Sequence, residues 1–180
     1  MRVRTTIWQT AITAVVILTG MSLLGADRTT KENRGQLSAR DYKFVSEAAR
    51  GGMMEVKLGE VAKQRGTTQE IRDFGQRMIT DHSKANEELK QLASTKGAVI
   101  PTEMTHHENT EMDRLEKLSG KDFDKEYAEH MVKDHKKDVK EFEDAARDAT
   151  DPDLKNFAQK TLSTLQEHLR MAQQIQASVK

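Results

Sequence analysis

Apolar residues between positions 38 and 178 recur every three or four places, in four long runs separated by breaks. That period is the signature of helices with one buried face. The first run, Phe44, Ala48, Gly51, Glu55, Leu58 and Ala62, predicts a helix from Ser38 to about Arg65. Ser38 with Asp41 forms a capping-box-like start, and Gly66 is a stop. The second run, Ile71, Phe74, Met78, His82, Ala85, Leu89 and Leu92, predicts a helix capped by Thr67 with Glu70 and ending near Lys96, before Gly97. Residues 98–102 read as a linker, because Pro101 disfavours helix at Ile100. A weaker pattern over 103–118, with Met104, Met112, Leu115 and Leu118, predicts a short crossover helix closed by Ser119-Gly120. The third long helix spans about 122–149, with a stripe of Phe123, Tyr127, Met131, His135, Val139 (or Asp138), Phe142 and Ala146. The fourth starts with Asp151 as N-cap and Pro152 in its first turn. It runs to about Ala177 with Leu154, Phe157, Thr161, Leu165, His168, Ala172 and Ile175 along one face.

Four amphipathic helices of similar length bury their stripes against one another most simply as a four-helix bundle. Short turns predict antiparallel hairpins of helices one with two and three with four. The long connection between helices two and three carries the short extra helix and can travel the length of the bundle. The expected fold is therefore all-α, a ferritin-like four-helix bundle with one long crossover. Small residues (Ala48, Ala49, Gly51, Gly52 and Gly59) on helix one allow close helix approach.

Composition supports an all-α chain: 32% of the 180 residues are charged, 4% are aromatic, and there are only 2 Pro. The formal net charge of zero leaves no broad electrostatic footprint for nucleic acid. The absence of Cys excludes disulfides, iron–sulfur clusters, thiolate zinc sites and Cys nucleophiles. At the N-terminus, Arg2 and Arg4 precede an apolar stretch centred on Ala11–Leu18, and polar residues begin at Asp27. This is the pattern of a secretory signal peptide cut near Ala26, the alternative being a retained N-terminal anchor. The expected organisation is a leader over 1–26, a polar tether over 27–37 and a helical domain over 38–178, exported to the periplasm or beyond. No transmembrane segment is expected once the leader is removed. Envelope association and self-association are open.

The candidate chemistry lies where polar residues interrupt the stripes. Met78-Ile79-Thr80-Asp81-His82 is echoed by Met131-Val132-Lys133-Asp134-His135, each His one helical turn after a Met. The match joins helices two and three rather than corresponding helices of two hairpins, which argues against a duplicated hairpin. Glu55, His82, His135 and His168 all fall near the midpoints of their own helices, so one interior layer of one carboxylate and three imidazoles is expected. These are good ligands for Zn, Fe, Mn or Cu, with Asp81 and Asp134 as accessory acceptors behind them. The competing reading is a buried polar layer, self-satisfied, that fixes register. Met78 and Met131 beside the histidines raise a copper variant, although Met at helical spacing also simply fills cores. A carboxylate-bridged di-iron centre needs Glu-x-x-His on two helices, and Ile79, Val132 and Leu165 stand where those Glu would be. His106-His107 and His130 lie off the stripes. No phosphate-binding loop, Gly-x-Ser-x-Gly or His-Glu-x-x-His occurs.

Taken together, Asp41-x-x-Phe44, Ala49-x-Gly51-Gly52-x-x-Glu55-Val56-x-Leu58-Gly59, Phe74-x-x-x-Met78-Ile79-x-Asp81-His82, Phe123-Asp124-x-x-Tyr127, Met131-Val132-x-Asp134-His135 and Leu165-x-x-His168-Leu169 resemble the bacterial domain of unknown function 4142. The resemblance runs over about residues 38–178, with a departure at Glu167, where a less polar residue is expected. It implies a ferritin-like bundle and an exported protein, since many members are described as outer-membrane or periplasmic. It supplies no activity. Three readings remain open: a non-enzymatic bundle binding a metal ion or small partner, with a role in envelope stress; a metal-dependent redox enzyme using the same layer; and a structural or interaction module.

Overall fold

The computed structural model describes residues 37–179. The expected leader over 1–26 and the tether up to residue 36 lie outside the described residues. Those described form five helices and no strand: α1 (Ala39–Arg65), α2 (Gln69–Thr95), α3 (His106–Glu116), α4 (Gly120–Asp148) and α5 (Pro152–Ser178). Helix α1 packs along α2 and α4 along α5, while α1 also contacts α4 and α2 contacts α5.

The helix starts follow from side chains that satisfy orphan backbone N–H groups. Ser38 accepts from Asp41 N at 3.1 Å, and Asp151 accepts from Asp153 N and Leu154 N with Pro152 behind it. Thr105 and Glu108 form a reciprocal capping box on α3. Two expected caps differ. Asp41 does not return to the start of its own helix, and α2 is capped by Thr68, whose hydroxyl accepts from Ile71 N at 3.3 Å, rather than by Thr67.

Asp41 and Thr67 are used elsewhere. Asp41 accepts from Thr150 N at 3.2 Å, Asp151 N at 3.0 Å and the Thr150 hydroxyl, so the start of α1 holds the turn between α4 and α5. Asp124 accepts from Thr67 N at 3.1 Å and from the Thr67 hydroxyl, so the start of α4 holds the turn between α1 and α2. These pins set the directions: α1 runs antiparallel to α4. The C-terminal end of α2, where Lys96 reaches Asp151 at 2.9 Å, lies at the α4–α5 turn. The connection from residue 96 to 119 therefore runs from one end of the hairpins to the other, as its length suggests.

One shift along the chain carries Asp41 onto Asp124, Thr67 onto Thr150, Phe74 onto Phe157, Glu55 onto Asp138, and all of Gln69–Thr95 onto Pro152–Ser178. The hairpins are thus equivalent halves, correcting the expectation drawn from the Met-x-x-Asp-His echo. The echo misleads because the histidines do not obey the shift: it places His82 opposite Leu165, His168 opposite Ala85 and His135 opposite Gly52.

Small residues bring the helices of the first hairpin together. A Cβ on Gly59 would stand 2.7 Å from the Gly75 carbonyl oxygen, and one on Gly75 would stand 2.7 Å from that of Gly59. The buried face of α1 runs through Val45, Ala49 and Gly52 rather than Phe44, Ala48 and Gly51. Phe44 instead meets Phe142 edge-on from the flank, at 5.0 Å between centroids. On α4 the buried position is Asp138, not Val139. The apolar core falls into two clusters. Leu58, Phe74, Met78, Phe123, Tyr127 and Met131 anchor one, and Val45, Leu89, Phe142, Leu154, Phe157 and Leu165 the other. Along α2, α4 and α5 the residues between the two clusters are His82, His135 with Asp138, and His168.

Candidate metal centre

Each long helix delivers its polar residue to this level because the apolar stripe on either side fixes the helix rotation. On α2, Met78 and Leu89 are buried above and below His82; on α4, Met131 and Phe142 flank His135; on α5, Leu165 and Ala172 flank His168. The three imidazoles form a triangle with ring centroids 5.7 Å (His82–His135), 5.2 Å (His82–His168) and 5.4 Å (His135–His168) apart. One ring nitrogen from each lies within 4.8 Å of the others. Glu55, 1% exposed, approaches from α1: Oε2 is 2.8 Å from His82 Nδ1 and Oε1 is 3.3 Å from His135 Nε2. The structure therefore brings together all four residues picked from the sequence.

Each histidine has one nitrogen held by a protein oxygen and one left over. His135 Nδ1–H donates to the Met131 carbonyl at 3.0 Å, and His168 Nε2–H donates to Asp81 Oδ2 at 2.9 Å. Both partners accept only, so both tautomers are fixed, with lone pairs on His135 Nε2 and His168 Nδ1. With Glu55 ionised, His82 Nδ1–H donates to it and Nε2 is bare. His82 Nε2, His135 Nε2 and His168 Nδ1 are all buried without a hydrogen-bond partner, as is Glu55 Oε1. A buried polar atom left unpaired costs about 1–3 kcal/mol, so four at one level demand an explanation.

Burial acts against charge throughout the layer. Burial pushes all three imidazoles down, His168 to about 4 despite Asp81, and His135 further lowered by its neighbours His82 and His168. Burial, with Asp134 nearby, holds the Glu55 carboxyl well above the usual carboxylate range. Burial thus works against charge on both members of the Glu55–His82 contact. Neutral imidazole is the form that binds metal.

The accessory residues divide. Asp81 acts on His168, across from its own helix, and also accepts from Arg77 Nε at 3.2 Å, linking the layer to the surface. Asp134 bonds no histidine. It joins Glu55 and Asp138 in a group whose ligand oxygens lie within 4.8 Å of one another, and its Oδ2 is unpartnered. Asp138 is buried, and desolvation with Glu55 beside it raises its carboxyl well above the usual range. Its place could have been found from Asp134-His135-x-x-Asp138, which puts it one turn beyond His135. Met78 and Met131 are in the apolar core, and the Met131 carbonyl accepts from His135. His106 and His107 are exposed; His130 is half-buried with an unpartnered Nε2. Tyr127, on the apolar stripe of α4, is fully buried with an unpartnered hydroxyl. A cavity of about 20 Å³ adjoins the layer, lined by Glu55, His82, Asp138, Gly51 and Gly52 among others. It has room for a water molecule and nothing larger.

A buried His/Glu group of this kind has the donors to hold a metal ion. Among the described residues no helix is long and apolar enough to cross a membrane. A solved DUF305 fragment from Deinococcus radiodurans shares the fold at a TM-score of 0.70 and 12% identity, over 79% of this chain and 99% of that one. No curated protein matches the chain. The domain of unknown function DUF4142 matches residues 26–175, and the chain belongs to that family.

Proposed function

We propose that this chain is an exported four-helix bundle of ferritin-like connectivity whose interior layer binds one divalent transition-metal ion through His82, His135 and His168, with Glu55 beside them. One observation carries the reading: each imidazole has one nitrogen anchored to a protein oxygen and the other bare, buried and turned to a shared level. That is how metal-ligating histidines are held, since the anchored nitrogen fixes tautomer and ring orientation. A self-satisfied polar layer would leave no such surplus of orphaned atoms.

Three imidazoles with a carboxylate suit Zn(II), Fe(II) or Mn(II) better than Cu(I), which prefers soft sulfur donors. The small adjoining cavity supports binding rather than turnover of an organic substrate. Export is supported by the leader pattern before Ala26 and by a family match that begins at residue 26.

The test is elemental analysis of protein purified without an affinity tag. A near-stoichiometric transition metal, lost in a His82→Ala/His135→Ala variant that remains helical, is the expected result. Metal-free protein after equilibration with each ion would refute the reading. Peroxide or ferrous-iron turnover by loaded protein would replace it with a redox enzyme.

A further inference from the structure

We propose a second cation position beside the histidines, built from oxygen alone: Glu55, Asp134 and Asp138, selective for a hard divalent cation such as Mn(II). Glu55 and Asp138 are equivalent residues of the two hairpins, brought face to face because α1 packs on α4. Asp134 stands one turn before Asp138 on the same helix. One oxygen from each lies within 4.8 Å of the others.

Carboxylates gathered on a surface mean little, but two of these three are buried and the third, Asp134, is half-buried. Glu55 is 1% exposed and Asp138 8%. Glu55 Oε1 and Asp134 Oδ2 are buried and unpartnered. Among the described residues none of the three is paired with a Lys or Arg; the neighbouring Lys137 is paired with Glu141 at 3.2 Å. Three acidic groups this close can all carry their negative charge only against a positive partner, and among the described residues no Lys or Arg is in contact to supply one.

Space is reserved as well. The cavity of about 20 Å³ is lined by Glu55 and Asp138, enough for a water that would extend an oxygen shell. Gly51 sits over it: a Cβ there would find only Asp138 Oδ1, at 4.0 Å. Oxygen donors and water suit hard cations, whereas the imidazole triangle suits softer ones. The layer thus offers two adjacent and chemically different seats that share Glu55. The second seat rests on the histidine reading only through that shared residue.

The experiment uses the full chain, stripped of metal. Co(II) is added first, because nitrogen coordination gives it a visible absorption band, and Mn(II) is then titrated with uptake followed by its solution paramagnetic resonance signal. Uptake of Mn(II) while the cobalt band persists is expected. Asp138→Asn and, independently, the half-exposed Asp134→Asn should weaken Mn(II) binding by about tenfold or more while leaving the cobalt band intact. Manganese uptake that only displaces cobalt, that neither variant weakens, or that a folded Asp138→Asn loses together with cobalt would overturn the second position. Failure of cobalt to bind, with Asp138-dependent manganese uptake retained, would remove the histidine reading and leave the oxygen site standing. Failure of both ions would remove both.

Discussion

Asp41 and Asp124 at the ends of the helices are as hidden from water as Glu55 and Asp138 at their middle, yet the protein treats the two pairs in opposite ways. The end acids are saturated: each accepts from a backbone N–H and a threonine hydroxyl of the opposite hairpin. Of the middle acids Glu55 keeps one oxygen unpartnered, both are pushed toward their protonated forms, and they adjoin bare imidazole nitrogens. The first arrangement spends buried charge on architecture. The second leaves coordination capacity unspent, which is the mark of a place meant for something else.

This contrast is easiest to break at the ends. Asp41→Ala or Asp124→Ala removes two or more charge-assisted hydrogen bonds between the hairpins and should cost about 2–4 kcal/mol in urea unfolding, with or without metal. Asp138→Asn should cost under about 1 kcal/mol in the metal-free protein, because an amide replaces a carboxyl that burial already pushes toward its uncharged form. If the middle substitution proved the costlier, the division between the pairs would fail.

Metal should sharpen the contrast from the other side. At a hundredfold excess over its dissociation constant, Co(II) in the histidine seat stabilises wild type by about 2.7 kcal/mol. A shift in Tm measures this, and it should vanish in His82→Ala/His135→Ala yet survive in Asp41→Ala.

Acid probes the layer next. An unfolded histidine titrates near ~6.5, whereas His168 is held down to about 4. Between those values the unfolded chain binds a proton that the folded one refuses, so the contribution of His168 to stability is present above ~6.5 and is lost as pH falls towards 4. Glu55 and Asp138 have raised folded values and act in the opposite direction, losing stability as pH rises above the ordinary carboxylate range. Comparing metal-free wild type with His168→Gln cancels their share. The variant should be spared about 1–3 kcal/mol of acid destabilisation in unfolding measured from pH ~6.5 down to 4.5. Equal slopes would mean that His168 is not held neutral.

The smallest effect belongs to the surface. Lys160 reaches Glu88 at 2.8 Å across α2 and α5, but both are solvent-exposed, and Lys160→Ala should change the unfolding free energy by no more than about 0.5 kcal/mol.

The helices and the polar layer were legible because periodicity carries them. His82, His135 and His168 sit on apolar stripes at mid-helix, and a stripe is readable from spacing alone. The pins were not legible. Asp41 looked like a local cap and Thr67 like an N-cap, since nothing in the sequence says that a short polar side chain will find its partner on another hairpin rather than in its own first turn. Asp138 and Val139 are adjacent, and a helical stripe is wide enough to admit either. Only packing against α1 decided for Asp138. The orphaned nitrogens needed hydrogen-bond partners to be known before their absence could mean anything.

The reciprocal pins also bear on the order in which the chain assembles. Each hairpin is local in sequence and can zip quickly, but neither aspartate meets its threonine until the two hairpins have docked in register. A hairpin slid by one helical turn along its neighbour would forfeit both pins at once, at opposite ends of the molecule. The pins therefore work as a paired gauge of alignment, and the mid-helix donors meet only in a chain that has passed it.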